Sequence, residues 1–370
     1  MTTLQKISAG VVAWAALLSA AQAQILIGQT AGFSGTVAAG VQETTDGAKL
    51  YLNAINARGG IHGQKVQLIS LDDQLDPQLA AANARKLIEE QNVSALFLTR
   101  GTPPTEAVIP LLDKYGVALV GPSTGAMVLH RPVRRNVFNV RAPYQREAEK
   151  AVSHLVSIGI TKIAVVHADD SFGADGLVGA QKGLDAAKLK AVLQEKFDRS
   201  KPDFGALVPK IVQSQAQAVL MIASSTAAAE GYAALRAAGS VAQMVTLSNN
   251  ASAGFAKSLG ANARGVIVTQ VFPNERAVNV PLVSEAHDLA KTQGKEVSPA
   301  MLEGFAAAKV LVEGLRRAGP KPTREKIHAA LEGLQRFDLG GMEISYGPDD
   351  HTGLDFADLS ILGADGKFRR

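Results

Sequence analysis

The chain has 370 residues, with 38 Lys or Arg against 34 Asp or Glu, so its formal net charge is only +4. This length suggests about two domains, and the absence of cysteine excludes disulfide frameworks, cysteine nucleophiles and thiolate metal sites. The basic residues are scattered among acidic ones without interleaved aromatics, so the sequence does not indicate a nucleic-acid partner.

Residues 1–23 have the pattern of a secretory signal peptide. The cation Lys6 precedes an uncharged, mostly apolar run over residues 7–21, and residues 21–23 supply an Ala-x-Ala ending. This run is shorter than the roughly 20 apolar residues that a membrane anchor needs. We therefore expect cleavage after Ala23 and a soluble protein of the bacterial periplasm. No cysteine follows the cleavage point to carry a lipid.

After this leader, short aliphatic runs alternate with amphipathic stretches. Residues 25–27 form an apolar run, and apolar residues then recur at three- and four-residue steps from Val37 to Ile55, which predicts a strand followed by a helix. The same pattern predicts further strands at 66–71, 93–98 and 117–120, and helices from Asp76 and over 105–115. Parallel strands need helical crossovers, so the alternation favours an open α/β sheet.

A second set of similar size follows. It comprises predicted helices at 145–158, 175–187, 204–214 and 227–238, and strands at 162–167, 191–195, 218–222 and 244–247. The pattern is ambiguous near 266–272, and then predicts helices at 280–292 and 299–317 and short antiparallel strands at 342–346 and 356–362. Two such sets predict two lobes of the same architecture. No low-complexity linker separates them, so the chain should cross between lobes several times.

Three loops that follow predicted strands are rich in glycine and hydroxyl residues. They cover residues 30–35, 100–105 and 121–125. In open α/β sheets, ligands bind beyond the carboxyl ends of the strands. Free backbone N–H groups and hydroxyls suit a carboxylate or another small anion. A single loop of this kind is as typical of helix capping as of ligand binding, but three together favour a binding site.

An enzymatic alternative comes from residues 121–125, GPSTG, which fit the G-x-S-x-G pattern of hydrolases with Ser123 as nucleophile. The candidate partners Asp350 and His351 are adjacent, however, and adjacent side chains on an extended segment point in opposite directions. The histidines show no metal-binding spacing, and no nucleotide-binding glycine motif is present. We expect no catalytic residue, no metal and no cofactor.

Six segments carry a family resemblance: GAKLYLNAINARGGIHGQK at 47–65, DDQLDP at 72–77, GPSTG at 121–125, VFNVR at 137–141, HADDSFG at 167–173 and DG at 365–366. With them the chain resembles the type I periplasmic binding proteins of ABC importers, specifically the leucine/isoleucine/valine-binding protein family. The resemblance implies two similar lobes with open, mostly parallel sheets flanked by helices. A hinge of three crossovers joins them, and closure traps the ligand.

The resemblance implies that lobe 1 comprises residues 24–141 and 272–349, and lobe 2 residues 142–271 and 350–370. It also implies a monomer that captures a branched-chain amino acid or a related small carboxylate and delivers it to a permease in the inner membrane. A ligand sensor with the same fold would have the same sequence features, so that alternative stays open. A secreted serine hydrolase is less favoured.

Site residues follow from the same resemblance. Thr102 matches the hydroxyl that holds the ligand carboxylate, Ser123 and Thr124 match further contacts, and Phe172 stands where the family usually has a covering Tyr. The loop of Ser224 and Ser225 would add contacts. The full expected set is Phe33, Ser34, Arg100, Thr102, Pro103, Ser123, Thr124, Phe172, Ser225, Ser248 and Asn249.

One departure concerns the acid that normally neutralises the ligand's ammonium group. The matching loop, residues 248–251, reads SNNA and has no carboxylate. A buried ammonium without a counter-charge costs several kcal/mol, so an amino acid would need another acid, such as Glu303 or Asp170. Our hypothesis is a carboxylate ligand, either an amino acid held differently or an acid that lacks the amine. Arg100 could pair with it, whereas Arg141 is better explained as a structural contact near the hinge.

Overall fold

The computed structural model describes residues 24–370, and the predicted signal peptide lies outside these residues. Within them the chain forms two α/β lobes, each built on an open sheet flanked by helices. None of the helices in this part of the chain combines the length and apolarity needed to cross a membrane.

The first sheet has five strands, all parallel, in the order β2-β1-β3-β4-β5. Its strands are β1 (Ile25–Ala31), β2 (Val66–Asp72), β3 (Ala95–Phe97), β4 (Leu119–Val120) and β5 (Val137–Phe138). The connecting helices are α1 (Ala38–Ala57), α2 (Pro77–Glu89) and α3 (Thr102–Tyr115).

The second sheet has seven strands in the order β14-β13-β10-β9-β8-β6-β7. Its first five strands in the chain run parallel: β6 (Ile163–Ala168), β7 (Leu193–Phe197), β8 (Ala218–Ile222), β9 (Gln243–Thr246) and β10 (Ile267–Gln270). The helices of this part are α4 (Tyr144–Ser157), α5 (Ser171–Ala186), α6 (Phe204–Gln213), α7 (Ser225–Ala237) and α8 (Ala253–Leu259).

The chain then returns to the first lobe before it ends in the second. The returning part contains α9 (Pro281–Lys291), α10 (Pro299–Arg317), α11 (Arg324–Glu332) and the hairpin of β11 (Phe337–Asp338) and β12 (Glu343–Ile344). Finally β13 (Asp358–Leu362) pairs antiparallel with β10, and β14 (Phe368–Arg369) pairs antiparallel with β13. The predicted class of two lobes with mostly parallel sheets is thus confirmed.

Several predicted boundaries were wrong for local reasons. Helix α3 begins at Thr102, three residues before the predicted start, because its two prolines are compatible with a first helical turn. Helix α5 begins at Ser171 rather than 175, since Asp170 caps it by accepting a hydrogen bond from Gly173 N at 3.0 Å. Helix α11 was not predicted, because it is short and buries only Ile327, His328 and Leu331.

Three crossovers join the lobes. The first and third lie side by side: Asn139 N donates to His351 O at 3.0 Å, and Leu354 N donates to Val140 O at 3.1 Å. Val271 and Leu354 pack in the hydrophobic core of the first lobe. We propose that the lobes divide near 141/142, near 270/271, since β10 ends at Gln270, and shortly after Leu354, a few residues beyond the predicted boundary at 349/350.

Candidate functional site

The carboxyl ends of the strands in both lobes meet at one seam, and the lobes are in contact there. Arg100, in the loop after β3, donates from Nη2 to Asn249 O of the second lobe at 2.7 Å. Its Nη1 donates to Ser123 Oγ at 2.9 Å, in the loop after β4. Arg100 therefore joins three of the loops in which the sequence placed the ligand.

The charge of Arg100 has no acidic partner in the described part of the chain. The side chain is only 4% exposed, and no carboxylate in residues 24–370 forms an ion pair with it. Its hydrogen-bond acceptors are a neutral hydroxyl and a backbone carbonyl. A buried cation without a counter-charge is unfavourable, so this guanidinium is suited to receive an anion.

A pair of hydroxyls lies on the first lobe beside this cation. Thr102 Oγ1 and Thr124 Oγ1 are 2.7 Å apart, and both residues are fully buried. Thr102 opens α3, but the next two residues are Pro103, which is half-buried, and Pro104, and proline has no backbone N–H. The expected free N–H groups of this loop are therefore mostly missing, and the hydroxyls are its available polar groups.

An aromatic pair stands on the second lobe. Phe172 is 4% exposed and contacts Tyr144 edge-to-face, with ring centroids 4.9 Å apart. The guanidinium of Arg199 lies 5.1 Å from the Phe172 ring and forms an ion pair with Asp170. Because Asp170 also caps α5, both of its oxygens are engaged. It is therefore a poor candidate for the acid that would meet a ligand ammonium.

The remaining second-lobe candidates form a connected group. Ser225 Oγ donates to Asn250 Oδ1 at 2.9 Å, and Asn249 Nδ2 donates to Ala223 O at 2.9 Å. Two buried oxygens here, Asn249 Oδ1 and Ser224 Oγ, have no hydrogen-bond partner within residues 24–370. Within this second-lobe group, these two oxygens are the ones available to a ligand.

Arg141 lies at the first crossover and is fully buried. It forms an ion pair with Glu147, which also accepts hydrogen bonds from Ser248 N at 2.9 Å and from the Thr269 hydroxyl. Burial raises the pKa of Glu147, and the charge of Arg141 opposes that rise. Since its charge is matched inside the protein, Arg141 has the structural role that the sequence favoured.

Glu303, on α10, is the other acid at this point of the seam. Its carboxylate lies 4.0 Å from Arg141 Nη1, and its Oε1 has no hydrogen-bond partner in the described part of the chain. Together with Ser248 and Gln270 it lines a cavity of about 10 Å³, enough for about one water molecule. Of the two acids proposed from sequence, Glu303 is the one with an oxygen still available.

Phe33 and Ser34 are held on the first lobe. Phe33 is half-buried and packs against the small cluster of Ala31, Val37 and Val41. Ser34 is exposed and donates from Oγ to Asp72 Oδ2 at 2.6 Å. The hydroxyl of Ser34 is therefore already engaged within its own lobe.

The contacts of Ser123 and His351 do not form a catalytic triad. The Ser123 hydroxyl accepts from Arg100. The Nδ1 atom of His351 lies 3.1 Å from Val137 O, and its ring stacks on that of Phe138 with ring centroids 4.2 Å apart. Asp350 forms an ion pair with Arg131 instead. Within residues 24–370 no cluster of three or more His, Asp or Glu is arranged to hold a metal ion.

Sequence reasoning missed Tyr144, Glu147 and Asn250. Glu147 stands in the first turn of α4, where an acid is usually explained by the helix dipole. Tyr144 follows Pro143 and has the pattern of a core aromatic. No local signal distinguishes Tyr144 or Asn250, because their partners Phe172 and Ser225 stand on other helices. Glu147 is only six residues from its partner Arg141, so the opposite charges of this pair were a signal in the sequence.

Comparison with known proteins identifies the family to which the chain belongs. A family described as "Periplasmic binding protein" matches residues 24–357. The chain is 31% identical to an amino acid binding protein of Pseudomonas aeruginosa over 205 residues, 54% of each chain. It is 26% identical to a Leu/Ile/Val-binding protein of Rhizobium johnstonii over 353 residues, 93% of each chain. A solved substrate-binding periplasmic protein from Ralstonia solanacearum superposes with a TM-score of 0.85 and 31% identity, covering 93% of this chain and 99% of that one.

Proposed function

The chain belongs to the type I periplasmic binding proteins, in the leucine/isoleucine/valine-binding family, and from this membership we propose that it is the substrate-binding protein of an ABC importer. Members of this family bind substrates and are periplasmic. The predicted signal peptide supports the same location for this chain. N-terminal sequencing of protein recovered from the periplasm should find Gln24 first, and a retained leader would contradict export with cleavage.

The proposed ligand is a small carboxylate, either a branched-chain amino acid or a related acid without the amine. The observation that carries this proposal is Arg100, a buried cation without an acidic partner in the described chain. The hydroxyls of Thr102 and Thr124 lie on the same lobe and supply further donors. A carboxylate would give Arg100 the counter-charge that it lacks.

The proposed mechanism is hinge closure. The first lobe offers Arg100 and the threonine hydroxyls. The second offers Phe172 and Asn249 Oδ1, an acceptor that has no partner in residues 24–370 and that suits the ammonium group of an amino acid. A ligand that contacts both sets binds the closed form better than the open form, and therefore shifts the population toward closure. The closed form would then dock on the permease. We propose no catalysis: the Ser123 hydroxyl is engaged by Arg100, and a serine-reactive phosphonate should leave it unlabelled.

Calorimetric titration with three ligands that share the isobutyl group of leucine tests the carboxylate proposal. L-Leucine carries both charged groups, 4-methylpentanoate only the carboxylate, and 3-methylbutylamine only the ammonium. We expect binding of at least one carboxylate and none of the amine. Arg100→Gln should weaken that binding by roughly 10–100-fold, since hydrogen bonds to charged groups contribute about 1.5–3 kcal/mol.

Arg131→Gln is the matched control, because it removes a guanidinium from an exposed ion pair with Asp350. It should leave the affinity unchanged. Binding of the amine alone, or equal affinity of the Arg100→Gln protein and the wild type, would contradict the proposal. Comparing leucine with 4-methylpentanoate also tests whether Glu303 receives an ammonium, because Glu303→Gln should then weaken only leucine.

A further inference from the structure

Helix α1 of the first lobe and helix α8 of the second meet at the seam, next to the proposed ligand site. Glu43 of α1 accepts a hydrogen bond from Ala253 N at 2.9 Å and another from Gly254 N at 2.8 Å, one on each carboxylate oxygen. Ser298, which also belongs to the first lobe, donates to the Glu43 carboxylate at 2.6 Å. One half-buried carboxylate thus spans the two lobes.

These contacts satisfy groups that α8 cannot satisfy by itself. The first N–H groups of a helix have no partner within the helix. Ser252 caps α8 by accepting from Phe255 N at 3.1 Å, which leaves the N–H groups of Ala253 and Gly254 to Glu43. When the lobes separate, the Glu43 carboxylate and the N–H groups of Ala253 and Gly254 lose their hydrogen bonds to each other and must form hydrogen bonds with water instead. Separation of α1 from α8 therefore breaks this contact.

The backbones approach closely at the same place. A Cβ atom at Gly254 would lie 2.4 Å from the Cβ of Ala39 on α1, so a side chain there would block this closed arrangement. Shortly before Gly254 in the chain, the backbone oxygen of Asn249 accepts the hydrogen bond from Arg100. The segment 249–254 thus forms hydrogen bonds with Arg100 at one end and with Glu43 at the other.

We propose that Glu43 is a positioning residue that latches the two lobes together and shifts even the ligand-free protein toward the closed form. It touches α8 rather than the ligand. By favouring the closed form it strengthens the binding of any ligand that this form selects. This inference goes beyond transport, because it concerns the equilibrium of the protein without ligand.

The absence of cysteine from the chain makes a direct test possible, since two introduced cysteines will be the only labelling sites. Gln91→Cys in the first lobe and Gln213→Cys in the second replace exposed residues. Electron–electron double resonance on the spin-labelled, ligand-free protein then measures the distance distribution between the lobes. We expect a dominant short-distance population, and a closed-to-open ratio at least tenfold lower in the Glu43→Gln variant.

Glu43→Gln keeps the size of the side chain but replaces one acceptor oxygen with an amide nitrogen, which cannot accept from an N–H group. Asp46→Asn is the matched control. Asp46 lies on the same helix and pairs with Lys295, within the first lobe, at 2.9 Å. This variant should leave the distance distribution unchanged.

A second pair of variants tests the closure without touching Glu43. Gly254→Ala should open the ligand-free protein, and adding Ala39→Gly should restore closure by removing the facing methyl group. This rescue distinguishes a steric block from a failure to fold. A wild type that is entirely open, an unchanged distribution in Glu43→Gln, or an equal shift in Asp46→Asn would each overturn the latch. None of these results depends on a ligand, so they leave the titrations of the proposed function to be judged separately.

Discussion

At the scale of single residues, two buried arginines of the seam show why residue type alone does not reveal a role. Arg141 is matched by Glu147 and lies at a crossover, whereas the hydrogen bonds of Arg100 within residues 24–370 go to neutral oxygens. Both follow or end apolar runs in the sequence. The difference is the presence of a buried acid: Glu147 follows Arg141 by six residues, in the first turn of α4, whereas no acid in residues 24–370 pairs with Arg100.

Asp73 is a buried carboxyl group just after β2. Its two oxygens accept hydrogen bonds from the Thr30 hydroxyl and from Leu75 N, both at 2.9 Å. Burial raises the pKa of Asp73 to about 6, although the hydrogen bonds from Thr30 and Leu75 oppose the rise. The folded protein thus holds this proton more tightly than the unfolded chain, in which the pKa of Asp is about 3.9.

This shift predicts a pH dependence of stability. The contribution of Asp73 is fully present below about pH 4 and is lost as the pH rises through about 6, and a pKa difference of about 2 corresponds to about 3 kcal/mol. Urea denaturation of Asp73→Asn at pH 4 and pH 7 should therefore show a smaller fall in the free energy of unfolding than the wild type. Asp288→Asn, at an exposed position, should behave as the wild type. An equal fall in Asp73→Asn and wild type would refute the prediction.

At the scale of elements, the contact between α1 and α10 depends on two glycines. A Cβ atom at Gly47 would lie 1.9 Å from Met301 O, and one at Gly304 would lie 1.7 Å from Thr44 O. Each glycine therefore faces the backbone of the opposite helix. Because α10 is buried along almost its whole length, neither helix has room to move away.

Gly304→Ala should consequently destabilise the first lobe. Overpacking usually costs about 1–3 kcal/mol, and because the obstructing atom is a backbone oxygen we expect a loss of at least about 2 kcal/mol in the free energy of unfolding, measured with urea. Gly205→Ala in α6 is the matched control, since only the side chain of Asp203 lies near its Cβ position, at 3.3 Å. That change should be neutral or slightly stabilising. Equal stabilities of the two variants would be inconsistent with the packing described.

The helices and strands themselves were largely predictable from local pattern. The Asp76-Pro77 start of α2 is an example, because Asp76 accepts from Leu79 N at 2.8 Å as an N-cap should. Errors arose where the local pattern was weak. Helix α11 has too few buried positions for a clear stripe, and the start of α5 contains small residues without periodicity.

At the scale of the whole molecule, the ion pair of Arg141 and Glu147 joins the first crossover to the second lobe. Glu147 also accepts hydrogen bonds from Ser248 N and from the Thr269 hydroxyl, so the pair connects the ends of β9 and β10 to the hinge. Removing one partner of a buried pair leaves an uncompensated charge and typically costs about 3–5 kcal/mol.

We therefore expect Glu147→Gln to lower the free energy of unfolding by about 3–5 kcal/mol, since Glu303 is the only other acid near Arg141 in residues 24–370 and lies 4.0 Å away. The double variant Arg141→Met/Glu147→Leu should lose less than the sum of the two single changes, because it leaves no lone charge. Glu343→Gln, which breaks an exposed pair with Arg336, should change stability by no more than about 1 kcal/mol. Additive losses in the double variant would argue against a coupled pair.

The sequence by itself determined the two α/β sets and the hydroxyl-bearing loops, because periodicity, capping and composition are local properties of the chain. The family resemblance added that residues 248–251 lack an expected acid. The tertiary structure decided which charges are matched, which candidate acid keeps a free oxygen and how the lobes meet. Glu43 and Ala253 illustrate the reason: they are 210 residues apart and contact only after both lobes have folded and closed. Hydrogen bonds and ion pairs across a cleft depend on that assembly, and no local pattern encodes them.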